Sequence, residues 1–346
     1  MTQPSPSIAV IVPNYNDMRH LPRCLRSVLD QIDGPQEVIV IDDHSTDDSV
    51  ALIRSLLGSD PRAQLLVNPE NLGTNRTIAE GLRRARSDYV VFLAANDFLL
   101  PGMFARARTC LARAPGAGLW SAMAWLVDEA DRPIRLHPSA VVALGDTFLP
   151  PARCAALAHR VGYWFTGTTA TYHRETLIAA GGFDPVYGAP ADLFAALAVA
   201  GMKGAAFTSE PFAAIRVHHS SYSSRALGDV AGIERMLARL RERAPLLAPN
   251  MFTSSFIART TLRFRFACVR STGGAALAEV SARLTGWHRF GLCCVQRLVP
   301  AALPTARAAL AFLVLRPFDL LPALWYRLFG WVLVRVRLAL RGSGIT

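Results

Sequence analysis

The sequence predicts an α/β protein, a mixed sheet flanked by helices, followed by a helical C-terminal region. Three observations predict it. Short β-branched runs alternate with helical patterns between residues 7 and 97, polar and acidic groups follow the strands, and the last third of the chain is basic and helical in pattern.

The four apolar runs are 8–12, 38–41, 64–67 and 89–93, with helical patterns between them at 21–32, 49–57 and 77–85. Continuous apolar strands separated by helices of this length form a parallel sheet covered on both faces. Ligands of such sheets sit at the carboxyl ends of the strands. After residue 118 the pattern loosens into strands over 119–127, 168–173 and 205–217 and a short helix over 192–200, which predicts an antiparallel extension completing the same domain. From residue 229 onward the pattern is helical, over 233–243, 256–269 and 275–284 and then an apolar stretch from 306 to 340. The spacing therefore predicts two regions, 1–225 and 226–346.

A chain of 346 residues has room for two such regions and a buried core. With 51% apolar and 18% charged residues it is not intrinsically disordered. Six cysteines, with no C-x-x-C pair and no histidine at ligand spacing, argue against a disulfide framework and a structural zinc site, and fit a reducing, cytoplasmic setting. No basic segment precedes Ile8, so the start is expected to be a strand and not a secretion signal. The net charge of +11 is unevenly placed: residues 225–346 carry 18 Arg against 5 acidic residues, while residues 1–224 are near neutral. Lys203 is the sole lysine, so the use of arginine is a bias of the whole chain. The asymmetry still calls for an anionic partner, lipid headgroups or nucleic acid.

The strand ends hold the candidate chemistry. Strand one runs into Pro13-Asn14-Tyr15-Asn16, strand two into Asp42-Asp43-His44-Ser45-Thr46-Asp47, and strand four into Asn96-Asp97. Adjacent carboxylates at an interior strand end are costly to desolvate unless donors or cations meet them, and a nucleobase and ribose supply N–H and O–H donors. Taken alone, the acidic pair is equally a solvated lead-in to a helix capped by Ser45 or Asp47. Asp97 is placed to hold Mg²⁺ against a diphosphate, since that ion binds through one or two carboxylates plus substrate phosphates. The loop Asn71-Leu72-Gly73-Thr74-Asn75-Arg76 enters a helix and offers backbone N–H groups to an anion.

These motifs, with Leu100-Pro101 and Gly181-Gly182-Phe183-Asp184, are spread over residues 7–225 in an order and spacing that resemble the family 2 glycosyltransferases of GT-A fold. The resemblance implies transfer of a sugar from a nucleotide-diphosphate donor with inversion, using Mg²⁺ or Mn²⁺. Carried over by position, it implies a donor site made of Pro13, Tyr15, Asn16, Asp42, Asp43, Gly73, Asn75 and Asn96. Asp97 then holds the metal, and Asp192, in Ala191-Asp192-Leu193, is the general base, although an acid at a helix start also serves the helix dipole. His218, two residues after Arg216, resembles the family's further metal or diphosphate contact. The family's usual Leu-Asp-Ala-Asp-Asp reads Leu93-Ala94-Ala95-Asn96-Asp97 here, so two carboxylates are missing and weaker metal affinity is expected.

No G-x-G-x-x-G follows a strand, and no P-loop, H-E-x-x-H or G-x-S-x-G motif occurs, which removes dinucleotide, P-loop, zinc-protease and common hydrolase readings. In the last third, Arg307, Arg316, Asp319, Arg327, Arg335 and Arg337 interrupt the apolar stretch, with Pro317 and Pro322 breaking it. No window suits a spanning helix. Aromatic residues beside arginines near 304–340 instead predict a segment lying on an anionic membrane surface, with packing on the enzyme or in a homodimer as the alternative. Nucleic acid is not expected as a partner, because no reader motif is present. The sequence thus predicts a transferase at the cytoplasmic face of the membrane, acting on a glycan or lipid-linked acceptor. Its rival is a catalytically weakened sugar-nucleotide-binding or scaffolding protein.

Overall fold

The computed structural model describes residues 5–217 and 227–340. Its strands are β1 (Ile8–Asn14), β2 (Glu37–Asp42), β3 (Ala63–Val67), β4 (Tyr89–Phe92), β5 (Phe98–Leu99), β6 (Leu119–Val127), β7 (Pro133–Leu136), β8 (Asp146–Leu149), β9 (Thr171–His173) and β10 (Ala205–Arg216). They form one sheet with the path β3-β2-β1-β4-β9-β6-β10-β5, to which β7 adds beside β6 and β8 beside β10. The helices of this part are α1 (Leu21–Leu29), α2 (Ser49–Leu57), α3 (Thr74–Arg84), α4 (Met103–Arg113), α5 (Pro151–Val161), α6 (Arg174–Ala179) and α7 (Ala191–Lys203).

Strand residues alternate between the two faces, and both faces are covered, which is why β1, β2 and β4 read as unbroken apolar runs. Ile8, Val10, Val12, Val38 and Val40 pack with Leu25 of α1, Ile53 of α2 and Phe104 of α4. Ala9, Ile11, Ile39 and Ile41 face Ile78 and Leu82 of α3. Close approach fixes α3 there: a Cβ on Gly81 would stand 2.5 Å from Cγ2 of Ile11 and 2.9 Å from Cδ1 of Ile41.

The antiparallel extension is only partly present. Strand β9 runs antiparallel to β4 and β6, but β6 and β10 pair parallel from Ala205↔Leu119 to Arg216↔Val127. A parallel pair needs a long crossover, and α5, α6 and α7 lie within the connection between these strands. The β6–β10 register shifts on either side of Pro211, a residue without an N–H to donate to the ladder. The strand expected over 168–173 begins instead with a 3₁₀ turn, Gly167–Thr169.

The C-terminal helices are α8 (Val230–Leu247), α9 (Ser254–Ser271), α10 (Leu277–Ala282), α11 (Gly286–Leu298), α12 (Pro304–Leu315) and α13 (Gly330–Leu340). Between α12 and α13 lie a 3₁₀ turn, Pro317–Asp319, and a π-helical turn, Ala323–Phe329. Leu237, Phe256, Leu277, Leu292 and Leu315 belong to the same apolar cluster as Trp164 and Phe194, so these helices pack continuously with the α3, α5 and α7 face of the sheet. The boundary expected near residue 226 lies outside the described residues.

Asp319 is 3% exposed and accepts hydrogen bonds from Arg263 at 2.7 and 3.0 Å and from Arg316 at 2.7 Å, which ties the end of α12 to α9. Among the described residues no single helix is long and apolar enough to cross a membrane. The segments 304–315 and 317–339 meet that test only as a pair bent by 89°.

Candidate active site

Register brings the first two strand ends together, since Asn14 of β1 lies opposite Asp42 of β2. The Asn14 amide donates to the Asp42 carboxylate at 2.7 Å, and the Ser45 amide and hydroxyl donate to the same carboxylate at 2.8 and 2.7 Å. Asp42 is fully buried, and these donors offset its desolvation. Asn16 has φ 55° and turns the chain so that its side-chain oxygen accepts the Thr46 amide at 2.8 Å. Tyr15, next to it, is 48% exposed and free to meet a ligand at the mouth of the crevice.

Asp43 does a different job. Its carboxylate accepts the Asn68 side-chain amide at 2.7 Å and the backbone amides of Leu72 and Gly73 at 2.9 Å each. It therefore pulls the Asn71–Gly73 loop onto the end of β2. Gly73 has φ 81°, a left-handed conformation that costs glycine nothing, and a Cβ there would meet nothing within 4 Å. Asn75, in the first turn of α3, donates to the Gly188 carbonyl at 3.0 Å, so this side of the crevice is stitched to the segment just before α7. The expected capping by Ser45 does not occur. Ser45 holds Asp42, while Asp47 accepts the Ser49 amide at 3.1 Å and the Met18 amide at 3.3 Å.

Across the sheet, Asp97 is buried at 6% exposure. One carboxylate oxygen accepts the backbone amide of Arg216 at 3.0 Å and the other the hydroxyl of Thr168 at 3.1 Å. Burial pushes its carboxyl up to about 6 against the downward pull of these two donors. The Arg216 guanidinium, at the end of β10, donates to the Asn96 carbonyl at 3.1 Å and the Asp128 carbonyl at 2.9 Å and pairs with Asp131. It thereby ties the residue before Asp97 to the turn that follows β6.

Asp192 lies in the first turn of α7, half-buried, and burial pushes it too up to about 6, against the pull of the Leu193 amide. Its Oδ2 would be 2.8 Å from a Cβ on Gly167. The same three-residue turn, Gly167–Thr169, thus touches Asp192 through Gly167 and Asp97 through Thr168. Its own position is set from β6, where the Thr169 hydroxyl donates to the Ala122 carbonyl at 2.8 Å and the Ser121 hydroxyl accepts the Thr166 amide at 3.0 Å.

Among the described residues no three His, Cys, Asp or Glu side chains cluster as a metal site. Asp97 alone still fits a divalent ion, because each of its oxygens has accepted a single hydrogen bond and Mg²⁺ commonly takes one carboxylate with substrate phosphates and water. His218, the second metal ligand expected from the sequence, lies outside the described residues.

Residues 9–112 match the family model described as Glycosyl transferase family 2. That segment belongs to family 2. An uncharacterized glycosyltransferase of Haemophilus influenzae is 37% identical to this chain over 94 residues, 27% of this chain and 38% of the relative. The GalNAc(5)-diNAcBac-PP-undecaprenol beta-1,3-glucosyltransferase of Campylobacter jejuni is 34% identical over 98 residues, 28% of this chain and 32% of the relative. The match thus spans about a third of these relatives' length. The fold continues beyond the family 2 segment. TarS 1-349 of S. aureus, solved in complex with UDP-GlcNAc, superposes with a TM-score of 0.58 over 90% of both chains at 15% identity. The mannosyltransferase PcManGT of Pyrobaculum calidifontis, solved with GDP-Man and Mn²⁺, does so at 0.50 over 98% of this chain and 88% of its own, at 21% identity.

Two features of this crevice escaped the sequence reading. Thr168 and its turn were hidden in a run expected to be strand, although Gly167 among three threonines marks a place where something approaches the backbone closely. Arg216 had a plainer signal, a charged residue closing a buried apolar strand.

Proposed function

We propose that the chain is an inverting glycosyltransferase that moves a sugar from a nucleotide-diphosphate donor to a hydroxyl of a lipid-linked or polysaccharide acceptor. The observation that carries this reading is the pair of carboxylates, buried Asp97 and half-buried Asp192, set against one turn beside the family 2 strand ends. A carboxylate near 6 is largely ionised at neutral pH yet basic enough to take a proton as the acceptor oxygen attacks. In the displacement the acceptor oxygen bonds to the anomeric carbon while the bond to the diphosphate oxygen breaks. The electron pair leaves on the diphosphate and the acceptor proton passes to Asp192. Tyr15 and the Asn71–Gly73 loop would face the base and ribose, and Asp97 would hold the diphosphate through Mg²⁺ or Mn²⁺, whose charge offsets that of the leaving group. The nucleotide sugars bound by the two superposed structures support a donor of this class.

Asp192→Asn tests the assignment, since the amide keeps the shape and cannot accept the proton. Donor binding should persist and transfer should fall at least a hundredfold. Transfer near the wild-type rate would move the base elsewhere. A second reading, a sugar-nucleotide-binding protein without turnover, is favoured by the two carboxylates missing before Asp97. Metal-dependent hydrolysis of the donor would exclude it.

A further inference from the structure

The C-terminal helices leave large apolar side chains uncovered on two segments. Trp287, Phe290 and Leu298 project from α11 at helical spacing, and Leu321, Trp325 and Phe329 project between α12 and α13. Exposures reach 69% at Trp287, 74% at Leu321 and 67% at Trp325. So much exposed apolar area marks a surface that meets something. Residues 284–340 contain seven arginines and a single carboxylate, Asp319, which is buried and paired with Arg263 and Arg316. Among the described residues the exposed Arg289, Arg297 and Arg335 form no ion pair. A second copy laid face to face would set arginine against arginine with no carboxylate between them. An anionic bilayer instead supplies phosphates for the guanidinium groups and acyl chains for the aromatic faces. The surface includes α11, which the apolar stretch 304–340 alone does not reveal.

The same segment is fastened to the catalytic side of the sheet. The Tyr326 carbonyl accepts the Val141 amide at 2.8 Å, and Trp331 Nε1 donates to the Ser139 carbonyl at 3.2 Å. Gly330 sits so close that a Cβ on it would be 2.6 Å from that of Val141. The fully buried Ser139 hydroxyl in turn meets that of Thr166 at 3.4 Å, and the Thr166 carbonyl accepts the Thr169 amide at 3.1 Å, closing the turn between Asp97 and Asp192.

We propose that α11 and the 320–336 segment seat the protein flat on an anionic bilayer, and that Trp331 and Ser139 are positioning residues that pass this seating to the Gly167–Thr169 turn. The proposal rests on the transferase reading only for what that turn does. It puts the acceptor side of the crevice at the headgroup layer, where a hydroxyl carried on a lipid would arrive.

The test uses the full chain with phosphatidylcholine vesicles, with and without phosphatidylglycerol. Wild-type protein should float only with the anionic vesicles, and Trp287→Glu/Leu321→Glu, at exposed sites that leave the core intact, should reduce the bound fraction at least tenfold. Wild-type protein that stays soluble, or a double variant that floats equally, would overturn the seating. Amide hydrogen exchange then reads the coupling. Vesicle binding should slow exchange several-fold at 139–141 and 166–170 in the wild type. Trp331→Phe keeps the ring without its N–H and should float yet lose the slowing at 166–170, and Ser139→Ala should do the same. A merely structural Trp331 would alter exchange equally with and without vesicles, which would refute its positioning role, as would slowing that survives both substitutions. Neither measurement involves substrate, so failure of the transferase reading leaves this outcome distinct.

Discussion

Gly167→Ala perturbs the candidate base without touching it. Gly167 is not in the left-handed region, so alanine fits its backbone, but the new methyl carbon would lie 2.8 Å from Oδ2 of Asp192 where ordinary contact begins at 3.4 Å. The carboxylate must retreat by about 0.6 Å, or the turn must move by as much and drag Thr168 from Asp97. A misplacement of about 1 Å at a reacting group can cost about 10²-fold, so a shift of this size should lower kcat about tenfold. Substrate KM should hardly change, because Gly167 stands against Asp192 and not against the Asn71–Gly73 loop. Steady-state transfer measured by nucleotide-diphosphate release gives both constants, and thermal unfolding checks that the variant remains folded. A folded Gly167→Ala enzyme with wild-type kcat would show that the Asp192 carboxylate is not the group that takes the proton.

Three other outcomes follow from the same geometry. Because burial raises Asp192 to about 6, kcat/KM should climb about tenfold per pH unit below that value and level off above it, as a pH–rate profile would show. The raised value means that the folded state binds this proton more tightly than the unfolded one. Its stability contribution is therefore complete below about 3.8 and lost as pH rises through about 6, so Asp192→Asn should be more stable at neutral pH by on the order of 1–3 kcal/mol in urea titration. Asp97→Ala should abolish any tightening of nucleotide-sugar binding by Mn²⁺, measured calorimetrically, while binding without metal persists. Asp319→Ala takes from the half-buried Arg263 and Arg316 guanidinium groups the carboxylate they share and should cost about 1–3 kcal/mol, with early proteolysis around residues 315–325.

The half of the fold that was legible in the sequence is the half whose strands are buried on both faces. Runs such as Ile8–Val12 and Val38–Ile41 leave periodicity no other reading, and Asp42, Asp43 and Asp97 stand out because charge at such strand ends needs a reason. Legibility fell where local pattern competes with tertiary pairing. The helices α4, α5 and α6 were missed, and the parallel pairing of β6 with β10 depends on a crossover that no local run encodes. Position along the chain also hid the link between the two carboxylates. Asp97 and Asp192 are far apart in sequence, and the residues joining them, Gly167 and Thr168, carry no charge and no motif. The helix α11 was overlooked because Arg289, Gly291 and the adjacent Cys293 and Cys294 dilute its apolar pattern, although Trp287, Phe290 and Leu298 on it prove to be exposed.

The hold of Asp43 on the donor loop has a consequence for how this crevice can change. Two of its three hydrogen bonds come from the backbone amides of Leu72 and Gly73, not from side chains. The Asn71 side-chain oxygen also accepts the Gly73 amide, at 3.1 Å, so the loop depends on the residue at 71, whereas Leu72 contributes through its backbone alone and a new side chain there can alter what the loop greets while its path stays fixed. Position 72 is free to vary in this way. Asp43 itself is not, because its removal would take away the hydrogen bonds that Asn68, Leu72 and Gly73 all make to one carboxylate.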